Sequence, residues 1–364
     1  MADVLADVAV GVTAAGLRSA VYELDDLFAV QELFHSRGWT DGLPVMPPTP
    51  EAVQACLDWT GHAPDQVLGV EPVRNRPILA EKVAVNAVMA GCLPVHFPVV
   101  VAAVEAMLEP EFLVHGATSS TGGCAVLVVV NGPVRRELGM DATFNVLGNT
   151  DRASGVIGRA VRLFLINVLG VRPGEIDRST LGHPGKYSYC IAEDEEGLPE
   201  GWAPLGQERG AAPDAPGSVT VFAAMGPRQL MNEWTTDPAE IAETFAADIR
   251  NNLNTYSFWP GNYAVVVPTQ LRQVFADAGW TKDDLRRRIF ERARITRGDW
   301  RAVGKGAKVY DSNADREHPA LPDPSALLVI GAGGPAGGFG AVIPPWLGNK
   351  SRAVTRAIGV CDNC

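Results

Sequence analysis

The sequence predicts a mixed α/β body of two lobes, built from buried strands and small-residue helices. Three observations carry that prediction. Short apolar runs such as Ala125 to Val130 and Ala326 to Ile330 end in Asn-Gly-Pro or glycine-rich loops, as strands buried on both faces do. Segments of helical spacing with capping residues alternate with these runs. Residues 197–217, between the halves, are dense in proline and glycine and form the clearest linker by composition. The expected organisation is an arm over 1–20, a first lobe over 21–196, the linker, a second lobe over 218–360 and a Cys-x-x-Cys tail over 361–364.

Taken in order, Leu27 to Arg37 reads as a helix capped by Asp25 or Asp26. A Pro/Gly-rich loop, Trp39 to Thr49, precedes a helix that starts at Thr49-Pro50-Glu51 and runs through Leu57. Ala80 to Gly91 is a small-residue helix, and Pro98 to Leu108 completes an αα-hairpin with it. His115 to Cys124 is a hydroxyl-rich loop leading into the strand Ala125–Val130, and Val156 to Leu169 is a long apolar helix. Beyond the linker, strands are expected at 219–224, 263–267 and 326–330, and helices at 238–250, 270–278 and 282–294. The halves share this alternation without a repeat at residue level.

Apolar residues make up 46% and charged residues 20% of the 364, ordinary for a globular protein large enough for two lobes. The net charge of −11 is spread along the chain, and no Lys/Arg stripe offers a phosphate footprint, which argues against nucleic acid. Arg286-Arg287-Arg288 lies among Asp283, Asp284 and Glu291 on an expected helix and reads as a solvated, ion-paired face. No stretch is long and apolar enough for a membrane span, and the first residues carry acids where a signal peptide needs bases. The six cysteines are scattered apart from the last two, unlike a secreted disulfide framework. A cytoplasmic location with reduced thiols is the expectation.

The densest collection of reactive side chains is 183–196, His-Pro-Gly-Lys-Tyr-Ser-Tyr-Cys-Ile-Ala-Glu-Asp-Glu-Glu. If 186–192 is extended, Tyr187, Tyr189 and Ile191 share one face and Cys190 lies on the other, toward which Lys186 can turn. A cation beside a thiol lowers its pKa. Cys190 is therefore the candidate nucleophile, with His183 or Lys186 as activator and proton donor. The same residues read equally as a core strand with a buried thiol, capped by a solvated acidic run. On the helix 80–91, Glu81, Lys82 and Asn86 interrupt an apolar surface, and polar groups there are costly unless paired or used. They are the expected substrate-orienting face. Ser119, Ser120 and Thr121 could cradle an anion or carbonyl, and Arg152 with a helix N-terminus could hold a carboxylate; the alternatives are a plain connector and surface ion pairs.

Gly331 to Gly340 follows the last strand but lacks the helix and distal acid of a dinucleotide fingerprint, so it is expected to be a glycine loop closing over a substrate. There is no nicotinamide or P-loop nucleotide signature. The six histidines show no ligand spacing, which leaves a metal assembled from distant loops open. Cys361-Asp-Asn-Cys364 can have no following helix to lower its pKa, and suits a dithiol that reduces another centre or a soft-metal clamp.

The segments Glu81 to Cys92, Val130-Asn-Gly-Pro133, Ile157-Gly-Arg-Ala160 and His183 to Glu193 resemble a largely uncharacterised family of bacterial proteins that often accompany small proteins bearing a cysteine or selenocysteine Gly-Ser-Cys motif. The resemblance covers residues 39–210 best and does not include the Cys-Asp-Asn-Cys ending. It implies thiol or selenol redox chemistry and a small redox partner protein, and it assigns no catalytic residue. Together these readings point to a thiol-dependent enzyme, reductive or lyase-like, acting on a small polar or anionic molecule. The alternatives are a metal-dependent hydrolase or lyase and a soft-metal-handling protein using Cys361 and Cys364.

Overall fold

The computed structural model describes residues 9–11, 16–148, 150–256, 259–346 and 350–359. Several of its helices start where a side chain satisfies the first N–H groups. Asp26 accepts from the Ala29 N–H before α1 (Leu27–Ser36), and Thr49 accepts from the Ala52 N–H before α2 (Pro50–Thr60). A hairpin of β1 (Val67–Glu71) and β2 (Arg76–Leu79) leads into α3 (Ala80–Ala90). Gly91 closes α3 at φ 94°, a backbone conformation that favours glycine, and α4 (Phe97–Leu108) follows. The stretch read as a loop from His115 is helical at first, as α5 (Val114–Ser119).

The first half continues with β3 (Ala125–Asn131), α6 (Arg152–Asn167), β4 (Cys190–Ala192), β5 (Ser218–Ala224) and β6 (Arg228–Met231). The second half holds α7 (Pro238–Thr255), β7 (Tyr263–Val267), α8 (Thr269–Asp277), α9 (Lys282–Arg292), β8 (Leu327–Gly331), β9 (Phe339–Ile343) and β10 (Val354–Ala357).

Two four-stranded sheets result, ordered β4-β3-β5-β10 and β8-β7-β9-β6. In each, a parallel pair (β3 with β4, β7 with β8) adjoins an antiparallel third strand and an antiparallel edge. The chain thus writes one topology twice, and each half donates its last strand to the other half's sheet. The segment 197–217 consequently does not divide the sheets, since β5 and β10 lie beyond it yet complete the first one. Nor is it an open tether, because Trp202 and Leu205 within it are buried.

Alternation along the strands sets four layers. Leu127 and Val129 of β3 and Ile191 of β4 face Val266, Ile330 and Ile343 of the other sheet. Val128, Val130, Cys190 and Ala192 face the layer of α2, α3, α4 and α6. Val265, Val267 and Val329 face α7, α8 and α9 on the far side. The sheets are also joined through their backbones: Met225 N–H donates to Pro344 O, and Trp346 N–H to Ala223 O, both at 2.8 Å. Among the described residues, no helix is long and apolar enough to cross a membrane.

Candidate functional site

The polar face of α3 opens into a cavity. Glu81, Lys82 and Asn86 line a space of about 690 Å³ with the arm at 17–24, the Trp39 and Pro47–Pro50 segments, and the end of α6. Its walls are chiefly apolar, with Tyr22, Phe34, Trp39, Pro47 and Met89 among them. Trp39 is fixed edge-on between Tyr22 and Phe34, at centroid separations of 5.7 and 5.6 Å. A mostly apolar space with a few convergent polar groups is the usual form of a small-molecule site.

Each polar group has a distinct state of satisfaction. The Glu81 carboxylate accepts the backbone N–H groups of Arg18 (3.0 Å) and Ser19 (2.7 Å). Burial would raise its pKa, but hydrogen bonds from Ser19 and Arg18 and the charge of Lys82 prevail and hold it below the usual value. Glu81 therefore stays ionised and pins the arm. Lys82 Nζ donates to Ser19 Oγ at 2.6 Å, its one hydrogen bond among the described residues. An ammonium has three donors, so two remain for a guest. Asn86 Nδ2 caps its own helix carbonyl at Lys82, while Asn167 Nδ2 donates to Asn86 Oδ1 (2.7 Å) and to Trp39 O (2.8 Å). Among the described residues, Asn167 Oδ1 is enclosed without a partner. The cavity thus presents spare ammonium donors on Lys82, with the Asn167 oxygen sealed in its wall.

The stretch 183–196 is arranged differently from the expectation. Pro184–Lys186 is a single 3₁₀ turn and only Cys190–Ala192 is strand, because His183 caps that turn by accepting the Gly185 N–H at 3.1 Å. Cys190 is a correction: it does not face Lys186 but lies buried beneath α6. Gly158 permits this contact, since a Cβ there would come within 2.3 Å of Ser188 Oγ and 2.6 Å of Tyr189 N. Burial pushes the Cys190 thiol up in pKa, the carboxylate of Asp151 adding to it, so it is held protonated and out of reach. Cys92 is pushed up likewise, Cys56 to about 11 and Cys124 to about 12, each chiefly by burial. Cys361 and Cys364 lie outside the described residues.

His183 and Lys186 are also engaged. His183 Nε2 lies 3.2 Å from Ala224 O, and burial, more than any neighbour, keeps the ring neutral. Lys186 Nζ contacts both oxygens of Asp177 (2.9 and 2.7 Å) and Ser179 Oγ (2.7 Å).

The hydroxyl loop and Arg152 are further corrections. Ser119 Oγ donates to His115 O, Ser120 Oγ accepts the Gly122 N–H, and Thr121 gives its carbonyl to the Thr180 N–H, so this is turn structure. The N-terminus of α6 already holds a carboxylate, Asp151, which takes the Ser154 N–H at 2.7 Å, and Arg152 binds the Gly91 carbonyl at 3.0 Å. Several N–H groups of the glycine loop are used within the fold: Gly331 donates to Glu193, Gly333 to Ala142 O and Gly338 to Glu233. No three His, Cys, Asp or Glu side chains among the described residues are grouped to hold a metal.

Ser19, Trp39 and Asn167 were not singled out as site residues from sequence. Trp39 carries a weak signal, as the aromatic of a Pro/Gly-rich loop that reads equally as a site wall or as chain-crossing structure, and Asn167 another, as a polar residue in the last turn of a largely apolar helix. Comparison with known proteins gives no match: no family model, curated protein or solved structure is similar to this chain.

Proposed function

We propose that the chain is an enzyme acting on a small molecule with an apolar body and one carboxylate or carbonyl head, bound with that head on Lys82. The observation that supports this reading most is the Lys82 ammonium, with two donors unused among the described residues, in a chiefly apolar cavity of about 690 Å³. Desolvation of the body would supply affinity at about 25 cal/mol per Å² of apolar surface, and the ammonium would fix the head. Ser19 Oγ, 2.6 Å from Lys82 Nζ, is placed to give or take a proton at that head. Any thiol chemistry, with the small redox partner that the family resemblance implies, rests on Cys361 and Cys364, because the four internal thiols are buried.

The test is titration of the protein with octanoate, octanol and octylamine, read by calorimetry and by tryptophan emission, to which Trp39 contributes. Octanoate is expected to bind in preference to octanol, and octylamine to be rejected. Equal binding of all three, or of none, would overturn the assignment of Lys82 to the head group.

A further inference from the structure

Residues 35–38 and 40–41, flanking Trp39, line a second, larger cleft of about 910 Å³. Its chemistry is unlike that of the Lys82 cavity. Arg37, Arg162, Arg172 and Lys186 line it, a gathering of cations in a chain of net charge −11. The carboxylates nearby are mostly engaged. Asp41 is held bidentately by Arg159 at 2.9 Å on each oxygen, and Asp177 by Lys186. Glu175 stands at the exposed rim.

The arginines, by contrast, are under-used. Arg162 has a side chain only 12% exposed, yet its one hydrogen bond among the described residues is a long 3.4 Å contact to Asp177. Arg172 makes no side-chain hydrogen bond or ion pair among the described residues, and its Nε is buried without a partner. A guanidinium carries five donors in a fixed planar fork, and leaving them unmatched in a partly desolvated wall is unfavourable. His183, held neutral with both ring nitrogens engaged, shapes the wall without adding charge.

We infer that this cleft is a second binding site, which takes a doubly charged oxyanion on the guanidinium groups of Arg162 and Arg172, Lys186 being already engaged by Asp177 and Ser179. Two planar forks suit the several oxygens of a phosphate or of a short dicarboxylate. The site is independent of the Lys82 cavity in its donors, and the two adjoin along the segment around Trp39, on whose ring Arg37 stacks at 6.0 Å, and along the end of α6.

The experiment is calorimetric titration of the full chain in a low-salt chloride buffer with inorganic phosphate, sulfate and succinate in separate runs. Saturable binding of at least one oxyanion over chloride is expected, and the preferred anion distinguishes a phosphate source from a dicarboxylate one. Arg172→Gln, at a residue whose side chain has no hydrogen-bond or ion-pair partner among the described residues, should weaken that binding by about tenfold or more without changing the melting temperature. Arg162→Gln should weaken it similarly. Lys82→Met should leave it unchanged, so failure here and failure of the Lys82 assignment are separable. Absence of saturable binding by all three anions, or binding indifferent to both arginine variants, would overturn the proposal.

Discussion

Lys282 and Lys82 each sit near a buried glutamate, and the difference between them separates a structural charge from one with work left to do. Lys282 Nζ reaches Glu193 (3.0 Å), Ala203 O (2.7 Å) and Glu208 (3.5 Å), which accounts for its three donors. Glu193 in turn accepts from Asn131, Leu205 N, Gly331 N and Lys282. That network ties β4 to β3, α9 and the end of β8, where the two sheets meet. Lys82 has a single hydrogen-bond partner among the described residues, a serine hydroxyl on the arm, and lines an open cavity. Burial with full satisfaction marks architecture; burial with spare donors marks a site.

The largest expected effect follows from removing each lysine in turn. Lys282→Met leaves the buried Glu193 without its ion-pair partner, and should cost about 3–5 kcal/mol in denaturant titrations. Lys82→Met loses one hydrogen bond at a half-buried position, about 0.5–1.5 kcal/mol. Comparable losses in the two variants would erase the distinction.

A smaller effect is expected at the seam that buries Cys190. Gly158→Ala forces a methyl against the backbone of Tyr189 and should destabilise by about 1–3 kcal/mol. It should also raise the alkylation rate of Cys190, which in the native protein is expected to resist iodoacetamide along with Cys56, Cys92 and Cys124. Mass spectrometry locates the label, and fast native labelling of Cys190 would contradict its burial.

The smallest effect lies in pH. Burial opposes ionisation of Glu81 and Asp177, but hydrogen bonds from Ser19 and from Lys186 respectively prevail and hold both carboxyls below their ordinary values. A carboxyl whose folded pKa is depressed contributes stability that is complete above its unfolded pKa, about 4, and is lost as pH falls through the folded value. Melting temperature should therefore be insensitive to these two groups from pH 5 to 8 and decline below about pH 4. In Glu81→Gln that part of the acid decline should shrink, measured by calorimetry across the range.

Much of the helical layer was legible because its signals are local. Asp26 and Thr49 cap the helices that follow them, and Gly91 ends α3. The polar face of α3 was legible for the same reason, since Glu81, Lys82 and Asn86 interrupt an apolar helix and each lines the cavity. The exchanged edge strands were not. Arg228–Met231 and Val354–Ala357 are four residues each and carry arginines, because an edge strand faces solvent and shows no apolar run. Their partners lie far away in sequence, as do Ser19 and Asn167, which meet Lys82 and Asn86 only through the fold. The reading of Cys190 failed over a local competition: His183 closes a turn at 184–186, shortening the strand, and the Lys186 ammonium is taken by Asp177 and Ser179 while the thiol is buried under α6.

The most direct test of the central claim is calorimetric binding of octanoate to the wild type and to Lys82→Met, with melting temperatures measured on the same samples. The account predicts that the variant keeps its fold and loses about 1.5–3 kcal/mol of binding, the worth of a hydrogen bond to a charged group, or roughly ten- to hundredfold in Kd. An unchanged Kd in a folded Lys82→Met protein would contradict it.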